Sequence, residues 1–515
     1  MAPSIPEFYA GKSILITGAT GFLGKVLVEK IVRCCPNFNK IYVMVRPKAG
    51  NPPEQRVSDM INTALFDKVK EENPEGMKRI VAVKSDMLES GLALSDEDRE
   101  MLKREVAIVF HVAATIKFDE KMKLSYRLNV QALKEMIRLC KDMTNLEAFI
   151  HTSTAYCNCD QQFIEEKIYP PPMDHKRLDE AVQWMDDEML QLLTPKLIDS
   201  RPNTYTFTKA IGEYVLSEEA ANMPIAIVRP SIVGATWKEP MPGWIDNFNG
   251  PSGIFIACGK GLLRSMRADP NAVADVVPVD IPVNVMVSAA WYTAVKKPTT
   301  IPIYNVTTGG INPFHWGEME DIIIPFFKYT PLENAFRRPN ATVTHGQVVH
   351  EYWNIVCHKI PGYLYDFLLR LAGRKPRMVR IYDKMMKAMS SLEYFTTNNW
   401  EWANENTEAL ASIMSEEDNK VFFSDVRPLD WHSYLEHYCL GTKKFVLQED
   451  MAGLPQARAH LKRLRNIRYA FNTLLFVLIW RFLIARSQIA RNLWYFVTNL
   501  FVKFVRLTRL TSSRS

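Results

Sequence analysis

Apolar and polar positions along the chain follow two periods. Short continuous apolar runs recur through roughly the first 300 residues, separated by longer segments whose apolar residues fall three or four apart. The runs are "ILI" at Ile14, "IYVMV" at Ile41, "RIVAVKSD" at Arg79, "VAIVFHVAAT" at Val106, "LEAFIHTSTAY" at Leu146 and "IAIVRPSIVG" at Ile225. Their length and β-branched content suit strands buried on both faces. Intervening stretches such as "LSYRLNVQALKEMIRLCK" have helical spacing. The alternation predicts an α/β fold, a doubly wound parallel sheet with helices on both faces. Trp237 to Gly261 is rich in Gly, Pro and aromatics, as expected of a binding loop or lid. From Pro331 to Gly441 helical patterns continue with many aromatics and no strand series, which predicts a smaller helical domain. The expected division is a sheet domain over 1–330, a helical domain over 331–450, a basic linker over 451–468 and a hydrophobic tail over 469–515.

The tail changes the picture of a purely globular chain. Tyr469 to Ala485 is mostly apolar over 17 residues, with Arg481 close enough to one end to reach the headgroups. A membrane-spanning helix needs ~20 residues, with a lower limit near 17. "LWYFVTNLFVKFV" at Leu493 is shorter and interrupted by Asn499 and Lys503; it reads as an interfacial amphipathic helix, or as one entering the bilayer with its partner. The alternative is a pair of buried helices in a soluble domain. Charge favours the membrane: residues 455–515 carry twelve Lys or Arg and no Asp or Glu, while the preceding 454 residues carry 51 basic and 57 acidic groups. A mildly acidic body argues against nucleic-acid binding. An anchor so late in the chain inserts after translation, which calls for post-translational insertion machinery and leaves the body in the cytosol. "MAPSIPEFYAGK" has no basic n-region or apolar run, so no signal peptide is expected. The eight cysteines show no metal-ligand spacing, so free thiols in a reducing compartment and no metal are expected.

Candidate chemistry begins directly after the first strand. Glycines at Gly18, Gly21 and Gly24 link it to a helix start. Gly18 permits a sharp turn, Gly21 lets the backbone approach a bulky anion, and Gly24 allows helix to pack on strand, with helix N–H groups offered to a phosphate. In "YTFTK", Tyr205 and Lys209 stand one helical turn apart, where an ammonium would favour the phenolate. "HTSTAY" puts hydroxyls at Ser153 and Thr154 after a strand, and "VRPSIVG" puts Pro230, Ser231 and Val233 after another, where a nicotinamide could rest. The second strand ends in "VRPK", so Arg46 and Lys48 stand where an NAD-binding fold needs a carboxylate. A guanidinium suits a 2′-phosphate, and NADPH is the expected cofactor.

These elements, in this order, resemble the extended short-chain dehydrogenase/reductases, a Rossmann-like superfamily whose glycine motif is TGxxGFxG. Here it runs from Thr17 to Gly24, with Thr20, Phe22 and Leu23 inside it. The resemblance implies that Tyr205 is the general acid, that Lys209 binds the nicotinamide ribose and tunes the tyrosine, and that Thr154, or less favourably Ser153, is the third member. It implies adenine contact at Asp86 and Met87 in "KSDM", a loop along the cofactor at Ala113 and Ala114, and a structural asparagine at Asn129. His111 is expected to be structural. "TGATGFLGKVLVEK", "VVPVDIPVN", "GWIDNFNGPSG" and "LRNIRYAFN" further resemble the animal alcohol-forming fatty acyl-CoA reductases over nearly the whole chain. That resemblance implies reduction of long-chain acyl-CoA to the primary alcohol with two NADPH, for ether-lipid, plasmalogen and wax-ester synthesis, by a protein tail-anchored in the peroxisomal membrane. Lys117 stands where that family usually has an arginine. Trp244, Ile245, Phe248, Ile254 and Phe255 are candidates for an apolar substrate wall, or for core. The rivals are a membrane-bound relative acting on a sterol or nucleotide-sugar, and a non-catalytic NADPH-binding sensor.

Overall fold

The computed structural model describes residues 2–48 and 50–512, with 490, 501 and 504–512 described by their backbone alone. The last three residues of the expected tail lie outside the described residues. Each predicted run forms a strand: β1 Ser13–Thr17, β2 Ile41–Val45, β3 Ile80–Lys84, β4 Val106–His111, β5 Ala148–Thr152 and β6 Ile225–Pro230. A seventh, β7 Ile303–Val306, was not anticipated. All pairings are parallel and the order is 7-6-5-4-1-2-3. β1, β2, β4, β5 and β6 are buried throughout, whereas the edge strand β3 is only half-buried. Helices cover both faces. α1 Phe22–Cys34 lies on one side; α2 Ala132–Lys141 and α3 Thr204–Glu219 lie on the other; α4 Asp280–Lys296 shares the core of α1. Strand order reverses between β1 and β4, which opens a crevice at the carboxyl ends of the strands, where such sheets bind ligands.

The second lobe is not one contiguous segment, as the division at 330 and 450 would have it. Its core gathers Ala235 and Phe255 from the Gly- and Pro-rich stretch, Phe314 and Phe327 from beyond β7, and Tyr434 and Tyr438 from near the end of the body. A strand at Ser265–Arg267 pairs with Thr342–Thr344, so both sides of the expected boundary share one small sheet. The lobe's helices include α5 Ile360–Leu371 and α6 Met378–Thr397. After them Glu401–Trp402 pairs with Phe163–Ile164, and the chain returns to the sheet domain, where Asp418 accepts the N–H of Ile5.

The expected linker is helical. α7 Leu454–Arg486 is one continuous 33-residue helix that starts with Pro455 in its first turn. No Gly or Pro interrupts residues 456–486, so the basic residues continue the helix instead of ending it. Its first turns are tied to the lobe by Arg458, which donates to the Tyr329 carbonyl, and by His460 at the Ala335 carbonyl. Beyond them Phe471, Leu474, Phe476 and Phe482 are exposed, and α7 is the one described helix long and apolar enough to cross a membrane. α8 Gln488–Ser512 folds back against it, with Trp494 edge-on to Trp480 at 6.1 Å.

Candidate active site

The turn after β1 is shaped by what its glycines lack. Gly18 has φ +71°, and a Cβ there would lie 2.7 Å from the Ala113 nitrogen; one on Gly24 would lie 2.3 Å from the Gly18 carbonyl oxygen. Gly21 caps α1, so the N–H groups of Phe22, Leu23 and Gly24 have no acceptors within the helix. Thr17 ties this turn to the loop after β4. Its hydroxyl oxygen accepts from the N–H groups of Val112 and Ala113, both at 3.1 Å, and lies 2.9 Å from His111 Nδ1. Burial pushes the His111 pKa down to about 3, so the ring is neutral and serves this joint. Two loops are thereby held close enough that only backbone fits between them, a cradle with the shape and donors for a pyrophosphate. Ala114 lies half-buried beyond it.

At the edge of the cradle basic groups converge. Arg46 and Lys48 are exposed after β2. Arg56, from helix Pro53–Ile61, donates to the Arg46 carbonyl and to Thr20 Oγ1. Burial first, then the charge of Arg46, lowers the Arg56 pKa. Among the described residues none of the three is paired with a carboxylate. Such a corner attracts a phosphate. Arg56 was missed by the sequence reading. Asp86 sits after β3, its carboxylate accepting the Leu88 N–H at 3.0 Å, with Met87 half-buried beside it.

Across the crevice, Asn203 caps α3 by accepting the Thr206 N–H, which fixes the first turn that carries Tyr205. Lys209, one turn on, donates to the Thr152 carbonyl at 2.7 Å and is buried. Burial brings its pKa down to about 8, opposed by Glu213 and Cys157. The Tyr205 pKa is pushed up to about 12 by burial, and the group that pulls it back is the Thr154 hydroxyl. The ammonium is turned toward β5, so tuning of the phenol by Lys209, as the spacing suggested, is not what this arrangement displays. Thr154 is buried and also accepts the Tyr156 N–H at 3.3 Å. Ser153 and Ser231 are buried with no hydrogen-bond partner of ordinary geometry, at the ends of β5 and β6 beside Pro230 and half-buried Val233. Ser153 faces the Cys157 thiol and Ser231 the buried Asp275 carboxylate, and buried hydroxyls so placed at strand ends can turn to a polar ligand there. Asn129 holds the floor: its side-chain oxygen accepts the Thr115 N–H and its amide donates to Thr208 on α3. Below Lys209, Glu213 pairs with fully buried Arg229 at 2.6 Å.

An aromatic wall closes this side. Phe118 lies 5.8 Å from the Tyr205 ring and 5.2 Å from Phe395 of α6. Tyr156 meets Phe395, Trp400 and Trp402 edge-on, and both indoles donate to carbonyls of the loop after β5. The apolar candidates of the sequence stand elsewhere. Trp244, Ile245, Ile254 and Phe255 are core, and Phe248 is 60% exposed. Trp244 stacks on Phe22 at 5.5 Å and so supports the cradle. Lys117 is exposed and reaches Glu120 at 3.8 Å. Cys157 and Cys159 are buried with raised pKa values, unsuited to nucleophilic work. Among the described residues no group of His, Cys, Asp or Glu is placed to hold a metal. A cleft of about 900 Å³ lies near the amino ends of β5 and β6, lined by Leu146, Pro224 and Ile301, away from these groups.

Comparison with known proteins finds relatives along the whole chain. Two family models, both described as Male sterility protein, match: an NAD-binding one over residues 16–286 and a second over residues 357–449. Fatty acyl-CoA reductase 1 of Xenopus laevis is 56% identical over 99% of both chains, and that of Homo sapiens 54% over the same shares. Fatty acyl-CoA reductase 2 of Bos taurus is 50% identical, again over 99% of each. Among solved structures, the reductase domain of a non-ribosomal peptide synthetase from Mycobacterium tuberculosis aligns with TM-score 0.54 at 18% identity, covering 85% of this chain and 92% of its own. The terminal R domain of the myxalamid pathway aligns with TM-score 0.52 at 16% identity, covering 86% and 93%. At such identities the likeness is one of fold.

Proposed function

The chain belongs to the fatty acyl-CoA reductase family, and on that premise we propose that it reduces a long-chain acyl-CoA to the primary alcohol and free CoA, with NADPH as reductant. The observation that carries this reading is Tyr205 beside Thr154, under an apolar wall and across the crevice from the glycine cradle. Its nicotinamide cofactor is assigned to the cradle at Gly18 to Gly24, with the 2′-phosphate at Arg46, Lys48 and Arg56. When bound, it supplies a hydride, once to the thioester and once to the aldehyde.

The chain's own groups do the rest. Tyr205 and Thr154 donate hydrogen bonds to the substrate oxygen as it gains negative charge. A phenol held near pKa 12 is protonated at neutral pH, so Tyr205 enters each turn as an acid and can give its proton to the alkoxide. Lys209 is anchored on the Thr152 carbonyl, with its remaining protons free to hold a ribose hydroxyl. The CoA thiolate leaves after the first reduction; no covalent bond to the protein is needed, in keeping with the buried cysteines. Phe118 and Phe395 offer apolar surface to the chain of the bound aldehyde. Each buried CH₂ is worth ~0.8 kcal/mol, which favours retention until the second reduction. In this reading α7 and α8 anchor the protein in the peroxisomal membrane with the body in the cytosol, and the product serves ether-lipid or wax-ester assembly. Two NADPH consumed per CoA thiol released, with alcohol identified by mass, is the expected outcome of a single reaction. A ratio of one, with aldehyde accumulating, would overturn it.

A further inference from the structure

α5 is built inside out for a helix at the surface of a soluble domain. Its buried side is small and polar, made by Gly362 and Asp366. A Cβ on Gly362 would lie 3.0 Å from Tyr382, and the Asp366 carboxylate accepts the N–H groups of Arg377, Met378 and Val379 and so caps α6. Its outer side presents Tyr363, Leu364, Phe367, Leu368 and Leu371, each more than half exposed. The helix Gln347–Asn354 ahead of it adds exposed Tyr352 and Trp353. An apolar surface this continuous marks an interaction site.

Charge and position identify its occupant. Residues 360–384 contain six Lys or Arg and two acids, of which Asp366 is spent on the cap. Arg374, Lys375 and Arg377 are exposed in the loop that joins α5 to α6. The end of the basic stretch of α7 is close by. Arg468 acts electrostatically on Arg264 and Arg337, and Arg337 donates to the Cys357 carbonyl and the Tyr382 hydroxyl between the two helices. Apolar and aromatic side chains, rimmed by basic ones that form no ion pair among the described residues and near a helix read as a membrane anchor, match the boundary of an anionic bilayer. We propose that the outer face of α5 and the basic loop after it dock onto an anionic lipid bilayer, a second membrane contact made by the catalytic body itself. This rests on the reading of α7 as an anchor. It gives the body a fixed pose: α6 runs from the docked loop at Met378 to Phe395 at the wall beside Tyr205, about 26 Å at 1.5 Å per residue. A lipid entering or leaving the site then has the bilayer at the far end of one helix.

The test uses the full chain in phosphatidylcholine vesicles containing phosphatidylserine. The photoreactive residue p-benzoylphenylalanine replaces Phe367, or Phe476 in the anchor, or Leu192, an exposed apolar residue of the sheet domain. Lipid adducts are expected at Phe367 and Phe476 and not at Leu192. Omitting phosphatidylserine should lower the Phe367 yield by roughly fivefold for each basic side chain that meets an anionic headgroup. The double variant Arg374→Glu/Lys375→Glu should do the same while leaving the Phe476 adduct intact. Labelling at Phe476 without lipid at Phe367 would overturn the proposal and leave the anchor standing. An adduct of Phe367 with a second copy of the chain would also overturn it, by making the face a dimer contact. Lipid at neither position would remove both readings.

Discussion

Where β1 meets α1 the crevice wall is backbone, shaped by glycines and locked by Thr17, and its charged corner comes from residues near it in the chain. The facing wall, at β5, β6 and α3, is made of side chains that meet only after folding: Tyr205, Thr154, Phe118 and Phe395. The first wall has fixed backbone donors, with His111 held neutral at its joint; the second has a buried phenol and a buried ammonium whose pKa values are displaced. On the proposed reading, holding falls to one wall and proton supply to the other. Changes on each wall should therefore separate cofactor affinity from turnover.

The largest effect is expected on the proton-supplying wall. Tyr205→Phe keeps the ring against Phe118 and removes the acid, so turnover should fall by ~10²–10⁴-fold. A variant with half the original rate would break the comparison at once. On the holding wall, Arg56→Ala should weaken NADPH by about 10–100-fold, the worth of a charged hydrogen bond, and leave NADH nearly unchanged. Equal losses for both cofactors, read by fluorescence titration, would reduce Arg56 to a prop for Arg46. Lys209 sharpens the comparison through pH. With its pKa near 8, the ammonium is lost as pH rises through that value, and turnover that uses it should decline above about pH 8. Between about 8 and its ordinary 10.5 the unfolded chain holds a proton that the folded one has released, so this group makes the fold more stable as pH rises. A melting temperature that dropped together with activity would attribute the decline to other groups. The smallest effect is at the wall's outer layer. Phe118→Ala should lower kcat/KM for a long-chain substrate by about tenfold or less, with most of it restored in Phe118→Leu.

The same contrast governs how much the sequence reveals. Thr17 to Gly24 declares the turn because its glycine spacing is local, although the loop that closes on it at Val112 and Ala113 is not, and the six strands declare the sheet because nearly every residue in them is apolar. β7 escaped notice because it is four residues long and carries Asn305, whose buried amide donates to the carbonyls of Ile164 and Ala403. Arg56 stands ten residues beyond Arg46 on a separate helix, and only the hydrogen bond to the Arg46 carbonyl joins them. Nothing in the local pattern marks Phe118 or Phe395, since an aromatic at helical spacing reads as core until its neighbour is known. Of the two readings open for Trp244, Ile245, Ile254 and Phe255, core is the one observed: the Gly- and Pro-rich setting of Trp244 suggested a lid, yet its side chain packs under Phe22. The basic stretch before the tail looked like a linker, and the absence of any Gly or Pro from residue 456 onward was the stronger signal.

On the proposed reading, cofactor holding and proton supply reside on opposite walls. It is tested most directly by the NADPH dissociation constant of Tyr205→Phe, measured by fluorescence on the same preparation whose turnover is assayed. A constant within about twofold of the unaltered protein is expected alongside the ~10²–10⁴-fold fall in turnover. A constant weakened in proportion to the lost turnover would contradict it, because Tyr205 would then hold the cofactor instead of supplying the proton.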